Sequence, residues 1–195
     1  MDIKIPYTPR KHQKLLHQQI DKHRWSVLVC HRRFGKTVCM INHLIRSALL
    51  SKLKNPRFAY IAPTFKQAKS IAWDYMKQFT DKIPYIKFNE TELRVDLPNG
   101  ARITLLGSDS PDGLRGIYLD GCVIDEYANV NSKLFPEIIR PALSDRKGYC
   151  VFIGTPAGMN NNFYELYQHA NGAEDWFNYK AKASETKIVD EDELV

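Results

Sequence analysis

The chain has 195 residues, and 44% of them are hydrophobic, so it can bury one sizeable core. No apolar run approaches the ~20 residues that cross a bilayer, and the polar residues 1–10 lack the apolar segment of a secretory signal, which predicts a cytosolic protein without a membrane anchor. The net charge is +6, and residues 1–54 hold twelve Lys or Arg against two Asp or Glu, which suits an anionic partner such as a nucleotide or DNA.

The apolar residues alternate short strands with helices along the chain. Strands are predicted at residues 26–30 and 57–62, and each is followed by a helix, at residues 36–53 and 64–79, the second with Thr64 as its N-cap. A hairpin comes next, with strands at residues 93–97 and 102–106 around an Asn-Gly turn. The last strands are predicted at residues 121–124, 149–153 and 176–183.

This order of elements predicts an α/β fold with a mainly parallel central sheet flanked by helices. In such sheets, ligands bind at the carboxyl ends of the strands, so the residues just after each strand are the candidate site residues. The four cysteines form no C-x-x-C pair, and three of them lie in or beside apolar runs, so we expect buried, reduced thiols at Cys30, Cys39, Cys122 and Cys150.

A phosphate-binding loop follows the first strand, in the sequence C-H-R-R-F-G-K-T from Cys30 to Thr37. Gly35, Lys36 and Thr37 match the end of the P-loop pattern, whereas Cys30 stands where the first glycine is usual. Gly35 lets the backbone approach a phosphate, Lys36 supplies a positive charge to the β- and γ-phosphates, and the Thr37 hydroxyl can bind Mg²⁺. The alternative is an ordinary strand–helix turn with a solvated lysine.

Two arginines, Arg32 and Arg33, lie inside this loop. Their guanidinium groups could neutralise the charge that develops at a γ-phosphate. Alternatively, one of them packs its stem on the edge of the sheet.

Two carboxylates, Asp125 and Glu126, end the apolar run at residues 121–124 in the manner of a Walker B element. We expect Asp125 to hold Mg²⁺ and Glu126 to orient and deprotonate the attacking water. Thr155, in Gly-Thr-Pro after the next strand, could bond the γ-phosphate or that water. The alternatives are a pair of acids that cap a helix and a simple turn.

Three further candidates lie outside these loops. Arg115, flanked by glycines, could reach into the site of a neighbouring subunit, or it could be an ordinary surface arginine. Tyr7 can stack on an adenine ring and Gln13 can pair with its edge, but Gln13 could equally be a solvated helix residue.

Taken in order, these motifs resemble the N-terminal ATPase domain of phage DNA-packaging terminase large subunits. Members of that family carry an arginine three residues before the last P-loop glycine, where Arg32 stands here. The resemblance also includes A-P-T-x-x-Q-A at residues 62–68, S-P-D-G-L-R-G at residues 110–116 and the Gly-Thr-Pro motif at residues 154–156. It runs from residue 7 to residue 156.

The resemblance implies a RecA-like P-loop ATPase that uses ATP and Mg²⁺ and moves double-stranded DNA into a procapsid. It implies that Glu126 is the catalytic base, that Arg32 contacts phosphate and that Arg115 acts between subunits. It also implies contacts to the DNA backbone, a portal protein, a small terminase subunit and a ring of like subunits, with a monomer in isolation. The location would be the host cytoplasm, with transient docking on the procapsid.

By the same resemblance, the motor domain spans residues 1–183, and residues 184–195 begin a linker to a nuclease domain that is absent here. No later cluster of acids on a strand pattern remains, so no nuclease activity is expected. A RecA-like helicase or translocase is the alternative, since such proteins share the P-loop, the acid pair and the A-P-T-x-x-Q-A stretch. A DNA-binding module without catalysis is a further alternative, which the intact Lys36, Thr37, Asp125 and Glu126 oppose.

Overall fold

A computed structural model describes residues 3–110, 114–186 and 188 of the chain. Within these residues, eight strands form one sheet in the order β3-β4-β5-β2-β6-β7-β1-β8. In chain order the strands are β1 Trp25–Cys30, β2 Arg57–Ala62, β3 Lys87–Asn89, β4 Arg94–Asp96, β5 Arg102–Gly107, β6 Gly121–Ile124, β7 Tyr149–Gly154 and β8 Trp176–Ala181.

The sheet is mainly parallel, as the sequence predicts. All pairings from β5 through β2, β6, β7 and β1 to β8 are parallel, and only β3 and β4 are antiparallel additions at one edge. The register pairs Ile61 of β2 with Ile124 of β6, and Val29 of β1 with Gly154 of β7. The carboxyl ends of these four strands therefore meet at the same edge of the sheet, with β7 between β1 and β6.

Helices cover both faces of the sheet. Successive side chains of each strand point to opposite faces, so apolar strands present an apolar surface on both. In β1, Leu28 and Cys30 join one apolar cluster, while Val27 and Val29 join the other. The first cluster packs under four helices, α1 Lys11–Ile20, α2 Lys36–Leu50, α3 Phe65–Ala68 and α4 Asp74–Thr80. A π-helical turn, Lys69–Trp73, joins α3 to α4. The second packs under a π-helical turn Phe135–Ile139, α5 Arg140–Ala142 and α6 Asn162–Ala170, and a short α7 Ala183–Thr186 follows β8.

The boundaries of several predicted elements are wrong. The helix predicted to reach residue 53 ends at Leu50, because Ser51 is extended, with ψ at 130°. The helix predicted at residues 64–79 does begin after an N-cap at Thr64, whose hydroxyl accepts from the Gln67 N–H, but a π-helical turn interrupts it. The last strand ends at Ala181 rather than residue 183, where α7 begins.

All four cysteines are buried and free, so the prediction of buried thiols is confirmed. Three lie on strands β1, β6 and β7, and Cys39 lies on α2. Among the described residues, no helix combines the length and the apolar character that a bilayer crossing requires.

Candidate active site

The loop between β1 and α2 is shaped for an anion. Gly35 has φ at 84°, in the left-handed region that favours glycine, and a Cβ added there would lie 3.0 Å from Nε2 of Gln13. Lys36 and Thr37 then open α2, where the first backbone N–H groups have no partner within the helix. The loop therefore presents free N–H donors and a lysine at one helix N-terminus, which is the arrangement that binds phosphate.

The N-terminal helix holds this loop from one side. The Gln13 side chain donates from Nε2 to the Gly35 carbonyl oxygen at 3.3 Å and accepts at Oε1 from the Arg10 N–H at 2.9 Å. Arg10 Nη1 also donates to the Phe34 carbonyl oxygen at 3.4 Å. Gln13 is only 4% exposed, so the alternative of a solvated helix residue is wrong. The Tyr7 hydroxyl lies 3.5 Å from Gln13 Oε1 and 3.0 Å from His17 Nε2, so the structure brings Tyr7 and Gln13 together beside the loop.

Asp125 lies on the other side, directly after β6, and is 3% exposed. Its N–H donates to the Ile61 carbonyl oxygen at 2.7 Å, and its Oδ1 accepts from the Glu126 N–H at 2.8 Å. Its Oδ2 accepts from the Tyr60 hydroxyl. Burial, together with the charge of Glu126, raises the pKa of Asp125 above its ordinary value, although the Tyr60 hydrogen bond and the charge of Lys36 act in the opposite direction.

This environment fits a divalent cation. A buried carboxylate is costly unless a positive charge lies nearby, and Mg²⁺ prefers oxygen ligands. The Thr37 hydroxyl lies near the Tyr60 hydroxyl, which donates to Asp125. The two residues predicted to bind the metal, one from α2 and one after β6, are therefore close to the same buried hydroxyl.

Glu126 and Thr155 also meet at this edge of the sheet. The Thr155 hydroxyl donates to Glu126 Oε2 at 3.4 Å. Thr155 directly follows β7, and Glu126 is the second residue after β6. Glu126 has φ at 45°, a left-handed conformation that is uncommon for a residue with a side chain. Such conformations concentrate at functional sites, where the surrounding structure holds them.

The predicted arginines are exposed. Arg32 and Arg33 lie on the outer part of the loop before α2, and Arg33 has φ at 65°. Arg115 is exposed on the segment before β6, while residues 111–113 of the S-P-D-G-L-R-G motif lie outside the described residues. All three residues are thus exposed, unlike Asp125.

The sequence reasoning missed Tyr60 and Arg10. Tyr60 lies within the buried strand β2, two residues before the strand end, and attention to the residues that follow each strand passes over it. Arg10 precedes α1 and bonds the loop through its guanidinium group. The signal that could have found Tyr60 was a hydroxyl-bearing residue inside an otherwise apolar strand that leads to the site.

The fold and this edge of the sheet define the class of protein. A mainly parallel sheet in which one strand separates the P-loop strand from the acid-bearing strand, with helices on both faces, is the RecA-like (ASCE) type of P-loop NTPase fold. The family model for the terminase large subunit, T4-like virus type, N-terminal, matches residues 29–192. The chain therefore belongs to the terminase large subunit family, as its N-terminal part.

Individual relatives agree with this assignment. The large terminase subunit of Thermus phage G20c is 31% identical over 55% of this chain and 26% of its own length. The large terminase ATPase domain of Thermus phage P74-26 superposes with a TM-score of 0.77 at 22% identity, covering 93% of this chain and 84% of that one. The large terminase of another thermophilic bacteriophage gives a TM-score of 0.79 at 16% identity, covering 95% of this chain and 48% of that one, and was also solved with ADP. The chain spans about a quarter of the length of the curated relatives that it matches.

Proposed function

We propose that this chain is the ATP-hydrolysing motor domain of a phage terminase, coupling ATP hydrolysis to the movement of double-stranded DNA into a procapsid. The observation that carries the proposal is the meeting of Thr37, Asp125, Glu126 and Thr155 at one edge of the sheet, beside the free N–H groups that open α2. A large terminase of the same fold, from a thermophilic bacteriophage, was solved in complex with ADP, which supports nucleotide binding by this chain.

The geometry suggests a division of roles. The N-terminus of α2 and Lys36 bind the phosphates. Thr37 and Asp125 would hold Mg²⁺, which would supply positive charge to the phosphate oxygens. Glu126, half-buried and bonded to Thr155, accepts a proton from the water that attacks the γ-phosphate. The Thr155 hydroxyl keeps the Glu126 carboxylate aimed at that water.

The exposed arginines add charge from outside. Arg32 and Arg33 lie at the mouth of the loop, where they neutralise charge on the γ-phosphate during transfer. Arg115 is exposed on a different segment, so it serves the site of a neighbouring subunit in a ring. An isolated monomer would then hydrolyse ATP slowly.

The partners follow from the proposed role. Double-stranded DNA is contacted through its phosphate backbone, since a packaging motor must move along any sequence. The portal, the small terminase subunit and like subunits in a ring complete the assembly, which works in the host cytoplasm on the procapsid. The absence of nuclease activity in this chain and the domain limit near residue 183 remain predictions. The helicase alternative is not favoured, since the family model that matches is that of the terminase large subunit.

Steady-state phosphate release from Mg²⁺–ATP tests the proposal over a wide range of protein concentration, with and without double-stranded DNA. The comparison is between the unmodified chain, Lys36→Ala and the control Lys52→Ala, an exposed lysine just beyond the far end of α2. We expect Lys36→Ala to abolish release and Lys52→Ala to leave it unchanged. Equal release by both variants would contradict the proposed site.

The role of Arg115 has its own readout in the same assay. Specific activity should rise with protein concentration, and Arg115→Ala should remove that rise. A flat specific activity that Arg115→Ala leaves unchanged would refute action between subunits.

A further inference from the structure

The hydroxyl of Tyr60 is buried between the two residues that are proposed to bind the metal. Tyr60 has no exposed surface, donates a hydrogen bond to Asp125 Oδ2, and lies near the Thr37 hydroxyl. We propose that Tyr60 is a positioning residue, which fixes Asp125, beside Thr37, in the arrangement that receives the divalent cation. This inference rests on the proposed function and extends it to a residue outside the P-loop and the acid pair.

The position of Tyr60 follows from the register of the sheet. Strand β2 runs beside β6, with Tyr60 opposite Val123 and Ile61 opposite Ile124. The Asp125 N–H extends this ladder by donating to the Ile61 carbonyl oxygen at 2.7 Å. The Asp125 side chain is thereby held at a fixed distance from the Tyr60 ring, which belongs to the same apolar cluster as α2.

Both oxygens of the Asp125 carboxylate have a donor. Oδ1 accepts from the Glu126 N–H at 2.8 Å, and Oδ2 accepts from Tyr60. Two donors on one buried carboxylate fix its rotamer, and carboxylate oxygens keep further lone pairs for a cation. Donors of this kind, one step removed from a metal, orient its ligands and commonly change metal affinity by roughly 10- to 100-fold.

The chemistry of a phenol suits this task. Its hydroxyl donates to Asp125 Oδ2, while the Glu126 N–H donates to Oδ1. A phenylalanine would fill the same space but leave Oδ2 without the Tyr60 donor.

The test is the affinity of Mn²⁺ for the complex of the chain with ADP, measured from the paramagnetic resonance signal of free Mn²⁺. We expect Tyr60→Phe to weaken this affinity about tenfold, while ADP affinity measured in EDTA stays unchanged. The matched control is Tyr149→Phe. It removes the hydroxyl of a half-buried tyrosine, which donates to Ser47 at 3.0 Å on the same face of the sheet but away from the site. The control should keep the Mn²⁺ affinity of the unmodified chain.

Mn²⁺ affinity in Tyr60→Phe equal to that in Tyr149→Phe would overturn the inference. If Tyr60→Phe does not fold, 4-aminophenylalanine at residue 60 is the second variant, because its amino group is a donor of nearly the same reach. It should keep Mn²⁺ affinity within about threefold of the unmodified chain, the upper limit that we set for a retained donor. A tenfold loss there would also overturn it. Asp125→Asn separates the two proposals: if it binds Mn²⁺ as the unmodified chain does, the proposed metal site itself fails, whatever Tyr60 does.

Discussion

The P-loop is held differently on its two sides. The metal side comprises Thr37, Tyr60, Asp125, Glu126 and Thr155. Here the Tyr60 side chain bonds Asp125, the Thr155 side chain bonds Glu126, and the Glu126 N–H joins the two acids. Four of these residues come from the ends of three adjacent parallel strands, β2, β6 and β7. Their relative positions are therefore set by the backbone ladder of the sheet.

The base side comprises Tyr7, Arg10, Gln13 and His17, from α1 and the segment before it. Here the side chains of Arg10 and Gln13 bond carbonyl oxygens of the P-loop itself, and the Gln13 oxygen also accepts from the Arg10 N–H. The Gln13 amide still has a second N–H that can donate to a further partner. The difference is that the metal side is positioned by the sheet, whereas the base side is positioned by the contacts of α1 and the segment before it with the P-loop.

The largest expected effect among the side-chain contacts is on the metal side. Thr155→Val keeps the shape of the side chain but removes the hydroxyl that donates to Glu126. We expect the rate of ATP hydrolysis to fall by about 10- to 100-fold, because the Glu126 carboxylate is no longer held in one orientation. The affinity for ADP should stay unchanged. Phosphate release and ADP titration measure the two quantities. Thr104→Val, on β5 and away from the site, is the control, and equal rates in the two variants would remove Thr155 from the mechanism.

A smaller effect is expected where the two sides meet. Gly35→Ala forces a side chain into a residue with φ at 84° and brings its Cβ within 3.0 Å of Gln13 Nε2. Gly172→Ala is the matched control, since Gly172 has φ at 80° but open space around it. Both variants should lose about 1 kcal/mol of stability from the left-handed backbone.

Only Gly35→Ala should weaken nucleotide binding, by about tenfold, or ~1.4 kcal/mol. Calorimetric titration with ADP and thermal unfolding separate the two contributions. Equal ADP affinity in the two variants would mean that the contact between Gln13 and Gly35 does not shape the loop.

The last effect is on stability rather than on catalysis or binding, and it concerns the base side alone, where His17 Nδ1 lies 2.9 Å from His43 Nδ1. Burial lowers the pKa of His17 to about 4, with a contribution from the charge of Arg46 and opposition from Asp21. Burial, the charge of His17 and Arg46 lower the pKa of His43 well below its ordinary value. The unfolded chain therefore takes up protons first, near its ordinary pKa of ~6.5.

The two histidines should therefore make their whole contribution to the free energy of unfolding above pH ~6.5. That free energy should fall as the pH drops towards 4, by up to ~1.4 kcal/mol per pH unit for each histidine. Urea unfolding at pH 7.5, 6 and 5 measures this slope. His17→Gln combined with His43→Gln should flatten it, while His169→Gln, an exposed residue on α6, should not. An unchanged slope in the double variant would mean that this pair does not set the acid sensitivity.

Much of the metal side was predictable from the sequence. The P-loop residues and the acids stand directly after apolar strands, and a parallel sheet must bring such positions to one edge. The contact between Thr155 and Glu126 follows the same rule, since their strands β7 and β6 are neighbours. The edge strand β3, with three residues, and helix α6, with nine, were missed because short segments give little signal in a sequence.

The hydrogen bonds that connect the site residues to one another and to α1 were not predictable from the sequence. Tyr60 reaches Asp125 only because of the register between β2 and β6, and register is set by packing along the whole sheet. The burial of Gln13 depends on how α1 docks on the P-loop, which no local pattern specifies. The early end of α2 at Leu50 reflects a polar stretch that the helix period alone did not exclude.

The central claim is that Glu126 performs the chemistry on the metal side. Single-turnover hydrolysis of ATP, at the protein concentration where the unmodified chain is fastest, tests it most directly with Glu126→Gln and the control Glu137→Gln, an exposed acid on the π-helical turn. We predict that Glu126→Gln binds ATP like the unmodified chain but hydrolyses it at least ~100-fold more slowly, while Glu137→Gln is unchanged. Hydrolysis by Glu126→Gln at the unmodified rate would contradict the account.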